Sequence, residues 1–180
     1  FQMKKNKKYK YELEVNETNL KSWCADLLDG KNEPIYKSQE RPEVDVEDNV
    51  KVVVGKTVDE VVLDPSKDVL LEVYAPWCGH CKQLEPTYKK LGKRFSTIDS
   101  VIIAKMDGTE NEHRVIDVSG FPSIFFFPAE EGAKGIAYEQ GDRSLLSLTK
   151  FIKQHAKIPY ELPTKKKAGD EPDAADKTEL

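Results

Sequence analysis

Cysteine is scarce, with three in 180 residues. That is too few for the disulfide scaffold of a small secreted module, and it leaves one close pair, Cys78 and Cys81, and one singleton, Cys24. An excess of one charge is also missing. With 28 Lys and Arg against 32 Asp and Glu the formal net charge is −4, so no nucleic-acid partner is implied. No apolar run approaches the ~20 residues needed to cross a bilayer, so no membrane insertion is expected. No leader segment is visible and the chain starts at Phe1. It reads as a fragment of a longer protein, and its first residues say nothing about compartment. What is present is 38% hydrophobic and 33% charged, as in a soluble fold with polar appendages.

The informative stretch is Tyr74-Ala75-Pro76-Trp77-Cys78-Gly79-His80-Cys81-Lys82. The apolar run 69–73 before it reads as a buried strand. After it, Leu84, Tyr88, Leu91 and Phe95 fall on one helical face, interrupted by Pro86, which should kink the helix. Two cysteines thus sit where a strand ends and a helix begins. The open N–H groups and positive dipole end of a first helical turn favour a thiolate there. The two-residue spacing allows the thiols to close a disulfide. A zinc site would want about four ligands. No second close pair exists, and His113 and His155 lie outside any such pattern.

Around this centre the chain divides into four parts. In residues 1–30, a lysine-rich start leads into Tyr9, Tyr11, Leu13 and Val15 at a period of two, a half-buried strand. Asn16-Glu17-Thr18 offers helix-capping chemistry and is also an N-glycosylation sequon on Asn16. Leu20, Trp23, Cys24, Leu27 and Leu28 form a helical stripe that Gly30 ends, with Cys24 read as a core cysteine. Residues 31–48 are charged, carry Pro34 and Pro42, and read as a linker. Residues 49–156 alternate strands and helices and end in a hairpin and helix, βαβαβαββα. The third of its helices spans 110–116; Thr57 and Ser144 are expected as caps. This is an α/β pattern with a central mixed sheet flanked by helices. Residues 157–180 are read as a disordered tail.

Single charges inside apolar strands stand out. Glu72 is alone in the strand before the cysteines, and burial of an unpaired carboxylate raises its proton affinity. Lys105, alone in the strand 101–106, is its candidate charge partner. His80 lies between the cysteines. A partly positive imidazole there favours the Cys78 thiolate, hence the reduced pair, and makes the disulfide a better oxidant.

Ala75 to Lys82, with Gly120-Phe121-Pro122 and the terminal Lys177-Thr178-Glu179-Leu180, resemble the protein disulfide isomerases. The resemblance covers residues 50–156 as one complete catalytic domain, and more weakly 1–30 as the end of a preceding non-catalytic, substrate-binding domain. It implies a thioredoxin fold and a Cys-Gly-His-Cys site catalysing formation, reduction and rearrangement of disulfides. Cys78 is then the nucleophile, the more exposed thiol, and Cys81 resolves the mixed disulfide. Glu72 accepts the proton of Cys81, and Arg143 swings in to favour its thiolate. Pro122 is a cis proline facing the disulfide, Phe121 offers backbone to an extended substrate, and Trp77 shields the cysteines and contacts substrate. The implied partners are unfolded or misfolded secretory proteins, glutathione or a luminal thiol oxidase, and a retention receptor in the endoplasmic reticulum lumen. The receptor would bind Lys177 to Leu180, where Thr178 replaces the usual Asp. No organic cofactor is implied, since the two thiols carry the electrons. Two alternatives remain open: a redox-inactive chaperone or binding module, and a thioredoxin-like reductase.

Overall fold

A computed structural model describes residues 7–163. Its elements are α1 (Glu17–Leu28), β1 (Val46–Glu47), β2 (Val50–Val52), a 3-10 turn (Gly55–Thr57), α2 (Val58–Val61), β3 (Asp68–Tyr74), α3 (Gly79–Phe95), β4 (Val101–Asp107), β5 (Ser123–Phe127), β6 (Ile136–Ala137) and α4 (Leu145–His155). The strands make one six-stranded mixed sheet in the order β1-β2-β4-β3-β5-β6. β3 runs parallel to β4 and antiparallel to β5, and both pairings extend over most of its length. This is the α/β architecture the sequence pattern predicts.

The period of two in β3 sorts its side chains between two cores. Leu70 joins Leu84, Tyr88, Leu91, Phe126 and Phe151 on the side covered by α3 and α4. Val69, Leu71 and Val73 join Val58, Val62 and Met106 on the side covered by α2. Glu72 shares the parity of Leu70 and therefore faces α3. Gly92 lets α3 approach the sheet edge, because a Cβ there would lie 2.6 Å from the carbonyl oxygen of Asn49.

Several expectations fail for physical reasons. Residues 9–15 form no strand: Lys8 makes a single bridge to Ile35, and Leu13 and Val15 are exposed. A period of two yields a strand only where a partner edge is offered, and none is offered to these residues among the described ones. The helix after them does form, with Asn16 Oδ1 accepting from the Asn19 N–H at 2.9 Å and Gly30 at φ +73° beyond its end. None of its residues is buried, and Cys24 is exposed rather than core, because no second layer covers its stripe among the described residues.

Residues 31–48 are not a free linker. The Gln39 N–H donates to Asn111 Oδ1 at 3.0 Å, and the Lys37 and Glu112 backbones are tied at 2.7 Å. The stretch ends as β1, paired antiparallel with β2. Asn111 also accepts from the Gly55 N–H and donates to the Asp107 carbonyl. That commitment of the Glu110 to Ile116 region to tertiary partners replaces the expected helix with turns and a His113–Ile116 bridge. Thr57 Oγ1 bonds back to Val54 instead of capping α2, whereas Ser144 caps α4 through the Ser147 N–H.

The tail is also ordered over its first residues. Asp68, fully buried at the start of β3, accepts hydrogen bonds from the backbone N–H groups of Ala129, Lys157 and Ile158 at 2.9–3.1 Å. Tyr160 and Leu162 then pack on the core. The retention-like ending at residues 177–180 lies outside the described residues.

Removal of that carboxylate leaves three N–H groups without their partner around a side chain that is itself fully buried. Asp68→Ala should lose about 3 kcal/mol or more in urea unfolding at neutral pH. A loss below about 1 kcal/mol would show that the return of the chain at residue 157 does not depend on Asp68.

Candidate active site

The site is built where β3 hands over to α3. The Cys78 N–H bonds to the Ala75 carbonyl at 3.0 Å, turning the chain, and Cys78 becomes the N-cap of α3 with φ −75° and ψ 117°. Its Sγ accepts from the Cys81 N–H at 3.2 Å. Sulfur thus occupies the place where a capping oxygen usually sits, and the helix dipole favours negative charge on it. The first turn of α3 carries no acidic residue to oppose this. Both cysteines are free thiols.

The expected difference in exposure is not found: Cys78 is 6% and Cys81 5% exposed. The cover comes from Phe121 and Tyr74, which pack on the cluster of Ala75, Cys78 and Cys81. Trp77 does not shield the thiols. It is 72% exposed and stands edge-on to Phe121, with ring centroids 5.9 Å apart. The Phe121–Pro122 bond is cis, as the resemblance implies. Gly108 makes room for Phe121, since a Cβ there would lie 2.7 Å from its ring and 2.6 Å from Val73.

Beneath Cys81 lies a cleft of about 220 Å³ lined by Glu72, Cys81, Lys105, Glu85, Tyr74 and Lys82, among others. Burial pushes the Glu72 carboxyl up to about 7, with Glu85 adding to the rise and Lys105 and Arg143 opposing it. Burial likewise pushes the Cys81 thiol up to about 11, helped by the neighbouring Cys78 sulfur and by Glu72. The cleft therefore joins a thiol that holds its proton to a carboxyl that titrates near neutrality.

Lys105 is opposite Glu72 in the β3–β4 register, but its ammonium is bonded elsewhere, to Glu47 Oε2 at 2.6 Å. Its candidate pairing with Glu72 is thus reduced to a through-space attraction. Arg143 is exposed on the loop before α4 and makes no ion pair among the described residues. His80 is exposed in the first turn of α3. Asn16 serves as the α1 cap and is surface-exposed. The structure thus gathers Cys78, Cys81, Glu72, Lys105, Phe121 and Trp77, and leaves Asn16 outside the site. Glu47, Glu85 and Gly108 were not anticipated. Glu85 had a signal, four residues after Cys81 on the same helical face. Glu47 had none, because only the β1–β2 pairing brings it in.

The thioredoxin family profile matches residues 49–154, and the chain belongs to that family. Protein disulfide isomerase-like 1-4 of Oryza sativa subsp. japonica is 53% identical over 150 residues, covering 83% of this chain and 26% of that protein. Human protein disulfide-isomerase A4 is 46% identical over 145 residues, covering 79% of this chain and 22% of that protein. The solution structure of the first thioredoxin domain of mouse protein disulfide-isomerase A4 matches with a TM-score of 0.55 at 31% identity, over 74% of this chain and 92% of that one. Within the thioredoxin family this is a thioredoxin-like domain of the protein disulfide isomerase kind. The chain spans about a quarter of the length of the curated relatives it matches.

Because folding raises the Glu72 value, from an ordinary 4.5 to about 7, the folded state holds that proton more tightly than the unfolded chain. The associated stability is intact below pH 4.5 and is lost as pH rises through 7. The full rise corresponds to about 3 kcal/mol as an upper bound. Glu72→Gln should therefore stabilise the protein at pH 8 by up to that amount and change little at pH 4.5, read from urea midpoints at both. Equal effects at the two pH values would mean that Glu72 is not held in this way.

Proposed function

We propose that the protein is a thiol–disulfide oxidoreductase and isomerase of the endoplasmic reticulum lumen, acting on disulfides of unfolded or misfolded secretory proteins. The observation that carries this reading is the Cys78 sulfur at the N-cap of α3, accepting from the Cys81 N–H, with Glu72 in the cleft behind Cys81.

The Cys78 thiolate attacks one sulfur of a substrate disulfide. The substrate S–S bond breaks, a mixed disulfide forms, and the other substrate sulfur leaves as a thiolate that takes a proton. Cys81 then loses its proton to Glu72 and attacks the Cys78 sulfur. The Cys78–Cys81 disulfide forms and the second substrate thiolate departs, so the substrate gains the two electrons that the protein gives up. Run backwards, the same steps oxidise a substrate dithiol. Isomerisation results when another substrate thiol attacks the mixed disulfide and frees Cys78. Glutathione or a luminal thiol oxidase resets the pair.

The remaining residues fit these steps. His80, exposed in the first turn of α3 two residues after Cys78, is the group whose imidazole favours the Cys78 thiolate. Arg143 moves toward Cys81 as that thiolate forms. Trp77 and Phe121 present an aromatic surface to the substrate chain, beside Pro122. Phe121 also lines a second cavity of about 520 Å³ with Tyr36, Met106, His113 and Val118, which gives an attached polypeptide a groove to lie in. Residues 177–180 bind a retention receptor, and Asn16 is open to glycosylation.

Equilibration in glutathione buffers of graded poise, with the Cys78–Cys81 disulfide quantified by alkylation, tests the direction of transfer. A midpoint near about −180 mV, the reference value for protein disulfide isomerase, supports disulfide donation and reshuffling. A midpoint near the thioredoxin value of about −270 mV makes the protein a reductase and removes the role given to His80. Cys81→Ser should accumulate mixed disulfides with a misfolded substrate that carries disulfides, because the Cys78 thiolate still attacks a substrate S–S bond and no second thiol resolves the product. Cys78→Ser should abolish exchange, and exchange surviving in it would sink the assignment.

A further inference from the structure

The cleft below Cys81 is lined by two lysines, Lys82 and Lys105, and Lys105 is the one whose register sets it opposite Glu72. Lys105 on β4 stands opposite Glu72 on β3, and the parity of both strands puts the two side chains on the α3 side of the sheet. The Lys105 ammonium nevertheless bonds to Glu47 Oε2 at 2.6 Å. Glu47 belongs to β1 at the sheet edge and lies outside the residues matched by the family profile. Its side chain is 59% exposed and that of Lys105 21%, so the lysine is drawn outward from the buried acid.

The other groups facing Glu72 do not replace it. From α3 come Cys81, Tyr88, Lys82 and Glu85. The Tyr88 hydroxyl is committed to the Leu70 and Ala104 carbonyls. Lys82 lines the cleft but makes no ion pair with Glu72 among the described residues and is not among the charges that move its proton affinity, and Glu85 is paired with Lys89 at 2.8 Å, which also holds Asp48. Tyr74 of β3 adds no cation, and Arg143, on the loop before α4, is exposed.

We infer that Glu47 is a positioning residue for thiol–disulfide exchange: by holding Lys105 at the sheet edge it keeps Glu72 without an ion-pair partner and able to take a proton from Cys81. This rests on Glu72 being the proton acceptor, as proposed above. An opposite charge within about 4–6 Å lowers a carboxyl pKa by about 1–3. A Lys105 released onto Glu72 would therefore make it a permanent carboxylate at neutral pH and a poor base. The exposed Glu47–Lys105 pair contributes at most about 1 kcal/mol to stability, so its removal acts on proton affinity more than on folding.

The test uses the 180-residue chain as wild type, Glu47→Gln, Lys105→Met and the double variant. Glu72 is titrated directly by carboxyl ¹³C NMR in the reduced protein. Glu47→Gln should lower its midpoint by about one pH unit, and Lys105→Met should raise it. In the Lys105→Met background the Glu47→Gln shift should mostly vanish. The wild-type difference from Glu47→Gln should shrink in 1 M salt, as expected of an exposed pair. A Glu72 midpoint unmoved by Glu47→Gln overturns the inference, as does a shift that persists in full without Lys105. The pH profile of Cys81-dependent release from a mixed disulfide is read in parallel. If its acid limb follows the NMR midpoint, both readings stand. If the midpoint moves and the limb does not, Glu47 still positions Lys105 and the assignment of Glu72 as acceptor fails.

Discussion

β3 is the constraint from which the rest follows. Asp68, Val69, Leu70, Leu71 and Val73 are entirely inaccessible. The strand pairs along almost all of its length with β4 on one edge and β5 on the other. A slip of one residue would exchange its two faces and drive both cores apart. The register that buries Leu70 against α3 therefore also buries Glu72 there, and delivers Cys78 to the start of α3. The acid and the thiols are one consequence of one strand register, at the carboxyl end of the central parallel strands where open α/β sheets place their sites.

The same strand explains how polar groups are tolerated inside the sheet. Asp68 and Glu72 are both buried, but their surroundings differ in kind. Asp68 is met by three backbone N–H groups, which satisfy a carboxylate where it stands. Among the described residues the Glu72 carboxyl accepts no hydrogen bond and has no ion-pair partner, so burial dominates and its proton is held to near neutrality. One acid closes the fold and the other lines a cleft beside a thiol with no protein partner for its carboxyl among the described residues. A polar group that costs stability in a cleft with reactive sulfur is the pattern expected of a working site.

The parts legible in the sequence were those set by local rules. The strand–cysteine–helix junction, the caps of α1 and α4, the apolar faces of β3 and α3, and the isolation of Glu72 all follow from spacing within a dozen residues. What could not be read depended on contacts between distant segments. Residues 31–48 look like a linker because their order comes from Asn111 and from pairing with β2. Residues 110–116 have a helical spacing but are held by the segment that crosses over them. Cys24 sits on a true apolar stripe, and it is exposed because no layer covers that stripe among the described residues. The capture of Lys105 by Glu47 joins residues 58 positions apart. No periodicity within either segment could reveal it.

The two raised proton affinities make sense only when followed through the reaction. With Glu72 raised to about 7 and Cys81 raised to about 11, the transfer is uphill in the reduced protein. Burial alone would not narrow that gap, because it lifts both groups. Part of the rise on Cys81, however, comes from the Cys78 sulfur, through a hydrogen bond and through its charge. Once Cys78 is bonded to substrate that charge is gone, and the hydrogen bond to a thiolate acceptor with it. The proton of Cys81 is then easiest to remove in the one intermediate that Cys81 must resolve. A thiol that stays protonated until its neighbour is occupied, beside a carboxyl that empties near neutral pH, ties resolution to the presence of a mixed disulfide.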